Sequence, residues 1–232
     1  MAKKFIILDT ETTGLEVRQG HKIIEIGAVV LNDRKKSSDH FHAYINPGRL
    51  IDEEASKVHG ITNQDLENEP MFAAIADDFI EFIQGSTLII HNAPFDVGFL
   101  NSELKAVSAK YPKLEDICEI EDSLVIARSK FPGQRNSLDA LANRFEVSGY
   151  DRSFHGALLD ANILADVYIY LTGGQSKFEF SDNSIISSEN QNGGKSSMSV
   201  KGLKFVKVST SKSDLDAHQL RLKEIKDINN IE

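Results

Sequence analysis

The stretch FIILDTETTG, Phe5 to Gly14, decides how this chain is read. An apolar run ends by placing two carboxylates, Asp9 and Glu11, two positions apart with threonines between and after them. Side chains alternate faces along an extended strand, so Asp9 and Glu11 point the same way and Thr10 the other. Two like charges then share one small patch, which raises at least one carboxylate pKa or needs a cation to neutralise it. The preceding Phe5-Ile6-Ile7-Leu8 is apolar on both faces, as a central buried strand requires, so the acids are expected at its mouth. The plainer alternative, an edge strand with a solvated polar face, fits that run less well. Thr13-Gly14 supplies a turn that brings backbone N–H groups close by.

Around this stretch lies a chain of 232 residues with 41% hydrophobic content, which suits one domain with a real core plus extra material. Its single cysteine, Cys118, cannot form an internal disulfide, as a reducing cytosol permits. The opening MAKKFIILD has only a short apolar run and no small-residue cleavage site after it, so it is read as a first strand and not a signal peptide. No apolar stretch approaches the roughly 20 residues a membrane span needs. The formal charge is -9, which argues against a nucleic-acid partner held by a broad basic face.

Strand-like runs are expected at Lys4 to Leu8, Lys22 to Asn32, His40 to Pro47 and Ser86 to Asn92. Short polar links such as NDRKKSSD join the first three, which suggests an antiparallel meander. In MFAAIADDFIEFIQG, residues Phe72, Ile75, Phe79, Phe82 and Ile83 share a helical face, and Gly85 is a plausible stop. Further helices are expected at about 95–108, 123–130, 137–145 and 157–171. Three strands followed by alternating strand and helix read as an α/β domain with a mixed sheet. No internal repeat is visible.

After LTGGQ the texture changes. Residues 181 to 199, SDNSIISSENQNGGKSSMS, have the composition of a flexible linker. Gly202 to Val208 reads as a short strand, and SDLDAHQLRLKEI as a helix capped by Ser213 with a stripe of Leu215, His218, Leu222 and Ile225. So small a tail cannot make its own core, and its apolar residues are expected to dock on another protein.

Three more positions stand out as chemistry. Asp96, in HNAPFDVGFL, has two readings that spacing alone leaves open: Asn92 as a helix cap with Pro94 in the first turn and Asp96 favouring the positive helix end, or Asp96 as a ligand. Asp160 lies among Leu158, Leu159, Ile163 and Leu164, where an unpaired charge is costly, so either a cation answers it or it shares a polar side with Asn162 and Asp166. His155 precedes Asp160 by five positions, about 140° around a continuous helix. If the two act together, His155 sits on the loop before the helix. There it is either an exposed loop histidine or a mobile general base. Together the acids suggest a site for two divalent cations, Mg²⁺ or Mn²⁺ by the oxygen-only donor set, of the kind that hydrolyses phosphodiesters with ions roughly 3.5 to 4 Å apart. His155 would take the proton from the attacking water.

LDTETTG, HNAPFDVGFL and HGALLDANILADVY, in that order, resemble the three motifs of the DEDDh 3′ to 5′ exonucleases. The resemblance extends through GHKIIEIGAV, VHGIT, DSLVIAR, FPGQRNSLDALANRFEV and LTGGQ, nearly all of residues 4 to 175, and is strongest to members that proofread for bacterial replicative polymerases. It implies a ribonuclease-H-like fold for residues 1–174. It assigns Asp9, Glu11, Asp96 and Asp160 to the metal site, with Asp96 often acting through water, and His155 to the general base. It implies that Glu54 and His59, with Asp9, Glu11 and Asp160, contact the terminal nucleotide of a single-stranded or frayed 3′ DNA end, and that Phe95 and Leu15 flank its base. In the tail it makes residues 175–180 a sliding-clamp motif read through Gln175, Phe178 and Phe180, with Phe178 where Leu or Met is commoner. Residues 181–200 become the linker and 201–232 the segment that binds the polymerase alpha subunit. A small third core subunit, a cytoplasmic, nucleoid- or replisome-associated location and the absence of a membrane partner follow from the same likeness.

The resemblance also accounts for the charge. Residues 175 to 232 hold nine Lys and Arg against eight Asp and Glu, which leaves 17 against 27 in the preceding domain. Such a domain binds single strands weakly, and a tether to a polymerase already on DNA raises the local concentration of 3′ ends to around millimolar. Two rivals remain: an RNA 3′-end-trimming relative, disfavoured by the linker and tail, and a catalytically silent adaptor bridging clamp and polymerase, disfavoured by the five filled positions.

Overall fold

A computed structural model describes residues 4–32, 34–150 and 154–173, with Lys212 and Arg221. Five strands form one sheet in the order β3-β2-β1-β4-β5. The strands are β1 (Phe5–Thr12), β2 (Ile23–Asn32), β3 (Lys35–Tyr44), β4 (Thr87–Ile90) and β5 (Glu119–Asp122). β1 to β3 form an antiparallel meander, while β4 pairs parallel with β1 and β5 parallel with β4. The mixed sheet is thus as expected, with β1 at its centre because Ile6, Ile7 and Leu8 have apolar partners on both faces.

Helices cover both faces. On one side α2 (Phe72–Ile83) and α3 (Ala93–Val107) bury Phe72, Ala76, Phe79, Phe99, Leu100 and Leu104 against Ile6, Leu8 and Leu88. On the other, α7 (Ala157–Thr172) lays Ala161, Leu164 and Ala165 on Ile7, Val29 and Ile89. Its other side, through Ile163, Val167 and Leu171, packs on α5 (Ser123–Lys130) and α6 (Leu138–Arg144). α7 is therefore apolar nearly all round, which explains its dense Leu and Ala content. Two short helices, α1 (Glu53–His59) and α4 (Leu114–Ile117), complete the domain.

Several boundaries differ from the sequence reading. β1 continues four residues past Leu8, so Asp9 and Glu11 lie within the strand, held there by pairing of Asp9 with Gly27, Thr10 with Ile26 and Glu11 with Glu25. β3 starts at Lys35 and ends at Tyr44, so most of the expected link NDRKKSSD is strand. Lys35 to Asp39 escape an apolar-periodicity search because an edge strand keeps polar side chains in water on both faces. β5, EIED, is missed because its one apolar residue, Ile120, is too little to show alternation, and α1 and α4 because seven and four residues are too few to show a period. Lys212 and Arg221 are helical and exposed, Arg221 inside the expected tail helix and Lys212 one residue before its expected cap. Ser213, the Leu215 to Ile225 stripe, Gln175, Phe178, Phe180 and the linker lie outside the described residues. Among the described residues no helix is long and apolar enough to cross a membrane.

Candidate active site

Side-chain oxygens of Asp9, Glu11 and Asp160 come within 4.8 Å of one another. The strand supplies the first two on one face, as alternation demands, and the first turn of α7 supplies the third. Gly27 makes this approach possible. A Cβ built there would lie 2.2 Å from the Leu158 nitrogen and 2.3 Å from the Ala157 carbonyl carbon, so the start of α7 rests directly on β2 backbone beside Asp9.

The cluster is electrostatically costly. Burial first, then the charges of Asp96, Glu11 and Asp160, push the Asp9 carboxyl well above its usual range. Burial, with Glu25, Asp160 and Asp96 adding to it, raises Glu11 to about 8. Carboxylates that resist ionisation together in a half-buried, oxygen-only site are the chemistry a hard divalent cation relieves, and these residues fit one.

Asp96 is not the surface charge of a capped helix. Asn92 stands at the N-cap position of α3 with a left-handed backbone (φ 72°) and makes no side-chain capping bond, while Pro94 does occupy the first turn. Asp96 is buried and accepts a hydrogen bond from Thr10 Oγ1 at 2.7 Å. Burial raises its pKa to about 7, and the Thr10 bond works against that rise by favouring the charged form. Thr10, pointing away from its two acidic neighbours, thereby ties the strand to the second motif.

His155 sits on the loop two residues before α7, as its spacing from Asp160 requires. Its Nδ1 lies 2.8 Å from Asp160 Oδ2, and its backbone N–H donates to the Val58 carbonyl at 3.2 Å. The imidazole is held by one nitrogen against the acid cluster with 40% of the side chain exposed. That is the arrangement of a base and its orienting carboxylate.

The RNase_T family, described as Exonuclease, matches residues 6–168. The DNA polymerase III subunit epsilon of Escherichia coli (strain K12) is 50% identical over 179 residues, 75% of this chain and 74% of the relative. That of Rickettsia typhi is 54% identical over 178 residues, 76% and 78% of the two chains. The chain belongs to the epsilon-subunit family of exonucleases. Among solved structures, exonuclease X in complex with 5′ overhanging duplex DNA aligns with a TM-score of 0.58 at 26% identity, covering 74% of this chain and 94% of that one. The nuclease domain of 3′hExo, a DEDDh family member bound to rAMP, aligns at 0.62 with 20% identity, covering 73% and 92%. These likenesses bear out the ribonuclease-H-like mixed sheet.

The remaining residues expected in this epsilon-family site are spread around it. His59 closes α1 and is buried; Nδ1 accepts from the Ile61 N–H at 3.0 Å, while Nε2 is buried and has no partner in hydrogen-bond geometry among the described residues. Burial lowers its pKa, and the nearby Thr12 carbonyl partly offsets this, which places His59 against the end of β1. Glu54 is exposed in the first turn of α1, and Leu15 is 80% exposed on the turn after β1. Phe95 is half-buried, its ring 4.9 Å from that of Phe99.

Glu25 was not singled out from sequence. It is buried opposite Glu11, and one oxygen meets His42 Nε2 at 2.8 Å while the other accepts the Ala157 N–H at 3.1 Å. It thus fastens the first residue of α7 to β2. A signal was present: Glu25 interrupts the apolar run KIIEIGAVV of a central strand, the same anomaly that marked Asp160.

Proposed function

We propose that the protein is the proofreading 3′ to 5′ exonuclease of a bacterial replicative DNA polymerase, removing mispaired 3′-terminal nucleotides by phosphodiester hydrolysis. The epsilon identity of about half over three quarters of the chain supports the substrate and the setting. The observation that carries the chemistry is the convergence of Asp9, Glu11 and Asp160 within 4.8 Å, with His155 bonded to Asp160.

In this reading Asp9, Glu11 and Asp160, with Asp96 behind them, hold two divalent cations, Mg²⁺ or Mn²⁺. Such ions stabilise the charge on the attacking and leaving oxygens of the displacement. His155, oriented through Nδ1 by Asp160, takes a proton from the attacking water. The water oxygen bonds to the terminal phosphorus, the bond to the 3′ oxygen of the penultimate nucleotide breaks, and a nucleoside 5′-monophosphate leaves. Glu54 and His59 hold the terminal nucleotide, and Phe95 and Leu15 flank its base. Residues 175–180 bind the sliding clamp, 201–232 bind the polymerase alpha subunit, a small third subunit completes the core, and the assembly works at the cytoplasmic replisome.

The intact chain, co-purified from its host, should bring a polymerase subunit with it. With Mg²⁺ or Mn²⁺ it should release mononucleotides from mismatched 3′ ends faster than from matched ones. Asp9→Ala should abolish release while the protein stays folded. Unchanged 3′-labelled strands, or an Asp9→Ala variant equal to the parent, would overturn the reading, and faster trimming of RNA than DNA ends would favour the exoribonuclease alternative.

A further inference from the structure

Two segments that resemble the exonuclease family, DSLVIAR and FPGQRNSLDALANRFEV, have no role in the site above, yet they line one cavity with the end of β4. This hollow of about 670 Å³ has His91 and Asn92 on one wall, Leu124 and Arg128 of α5 on another, and Gln134 to Leu138 on the third. Its volume lies within the roughly 300 to 1,000 Å³ typical of small-ligand pockets.

Its position follows from register. Ile7 of β1 pairs with Ile89 of β4, and β4 ends one residue later at Ile90, so His91 and Asn92 leave the sheet from the strand that lies next to β1. Ile7 and Ile89 both face α7, alternation puts Asp9 and Glu11 on that same side, and His91 is bonded to Ser123 of α5 and to Asn136 just before α6, the helices that pack on α7. The cavity therefore opens one strand over from the acid cluster, at the carboxyl ends of parallel strands, where ligands of open α/β sheets collect.

Its polar groups divide into two kinds. His91 is locked by Ser123 Oγ and the Asn136 carbonyl, each at 2.9 Å, and the Asn136 side chain is spent on Phe131, Gln134 and Arg144. These form a rigid wall. Among the described residues no hydrogen bond or ion pair engages the side chains of Asn92, Arg128 or Gln134. In a domain with ten more acids than bases, the exposed guanidinium of Arg128 pairs with no carboxylate among the described residues, and it lies close enough to His91 to add to the burial that lowers the His91 pKa. A planar five-donor fork matches a phosphate bidentately.

We propose that this cavity holds the nucleotide upstream of the one being removed, with Arg128 on the second phosphodiester linkage from the 3′ end and Asn92 and Gln134 at the sugar and base edges. The inference rests on the nuclease reading above and adds to it a subsite for the strand that stays behind. The same chemistry would suit the phosphate of a released mononucleotide, and the experiment separates the two.

Wild-type protein and Arg128→Ala are assayed on a single-stranded oligonucleotide and on p-nitrophenyl thymidine 5′-phosphate, which has a scissile phosphate and no upstream nucleotide. KM for the oligonucleotide should rise about tenfold, the loss of one charge-assisted phosphate contact, and the slope of log KM against log salt should fall by about 0.7. The small ester should be cleaved equally by both proteins. Arg128→Lys should fall between, since it keeps the charge and loses the fork. An oligonucleotide with a neutral methylphosphonate at the second linkage should weaken the wild type as much as the substitution does and cost the variant nothing more. Equal losses on both substrates, or no loss on the oligonucleotide, would overturn the proposal. Weaker inhibition of Arg128→Ala by thymidine 5′-monophosphate, with an unchanged oligonucleotide KM, would reassign the cavity to product. If wild type cleaves neither substrate, the nuclease reading itself fails.

Discussion

Replacing Glu11 by Gln should make the metal-free protein more stable at neutral and alkaline pH while destroying its response to divalent cations. Glu11 shares one strand face with Asp9 and meets Asp160, and burial, with the charges of Glu25, Asp160 and Asp96 adding to it, lifts its pKa from 4.5 to about 8. Between those two values the folded protein holds a proton that the unfolded chain has released, so stability falls as pH rises through that window. At pH 7 the full shift corresponds to about 3 kcal/mol, and above pH 8 to about 5. Glu11 is partly exposed, so solvent and salt leave about a third of this, ~1 to 2 kcal/mol. At roughly 2 to 4 °C per kcal/mol for a domain of this size, Glu11→Gln should melt ~2 to 8 °C above wild type in EDTA at pH 8. The gap should close near pH 5, where wild-type Glu11 is protonated in the fold. Adding Mg²⁺ or Mn²⁺ should reverse the order, because wild type gains binding energy that the amide forgoes. Thermal melts at several pH values, with EDTA and with metal, measure all of this. Parallel wild-type and variant curves in EDTA would refute the claim that carboxylate crowding is what the cation relieves.

The other predictions concern how the acids are held. Gly27→Ala should cost ~3 kcal/mol and nearly all activity, since its Cβ would sit 2.2 Å from the Leu158 nitrogen and force α7, with Asp160, off the sheet; Gly98→Ala in α3, with open space around it, should instead be neutral or stabilising in the same melts. Thr10→Val leaves the buried Asp96 without its 2.7 Å donor, so it should cost ~1 to 3 kcal/mol and move the acidic limb of kcat/KM to higher pH, with Thr10→Ser restoring both. His155→Ala should lower turnover ~10² to 10⁴-fold while calorimetry still detects metal binding; loss of metal binding would make the 2.8 Å contact to Asp160 structural.

What the sequence revealed, and what it hid, divides along one physical line. Asp9 and Glu11 on one strand face and the acid Asp160 among leucines were legible because each violates an apolar pattern locally, and the loop placement of His155 followed from its five-residue spacing to Asp160. The mixed sheet was legible from the order of the runs. Edge strands were not: Lys35 to Asp39 carry no apolar face to betray them, and EIED a single apolar residue. Contacts between distant segments were also hidden. Nothing near Thr10 announces Asp96, and nothing near Gly27 announces that α7 needs its missing Cβ. Asp96 shows the cost of reading locally, since Pro94 and an Asn at the N-cap position suggest a capped surface helix, whereas the carboxylate is buried and bonded across 86 residues of sequence.

That division is sharpest at Asp96, where the resemblance implies a ligand and the residue-by-residue reading leaves two roles open. A carboxylate at the start of a helix is favourable whether or not a ligand exists, so spacing weighs both readings equally. Burial removes the surface-charge reading and weighs for the proposed ligand role: a carboxyl raised to a pKa of about 7 by burial close to Asp9 destabilises the empty fold unless a ligand compensates for it. The same reasoning covers Glu25, which lies in the same field yet has both oxygens engaged by His42 and Ala157. It is therefore a support for the start of α7, and the set proposed to hold the cations narrows to Asp9 and Glu11, whose carboxylates have no such partners among the described residues, with Asp160 and Asp96 brought towards them by α7 and α3.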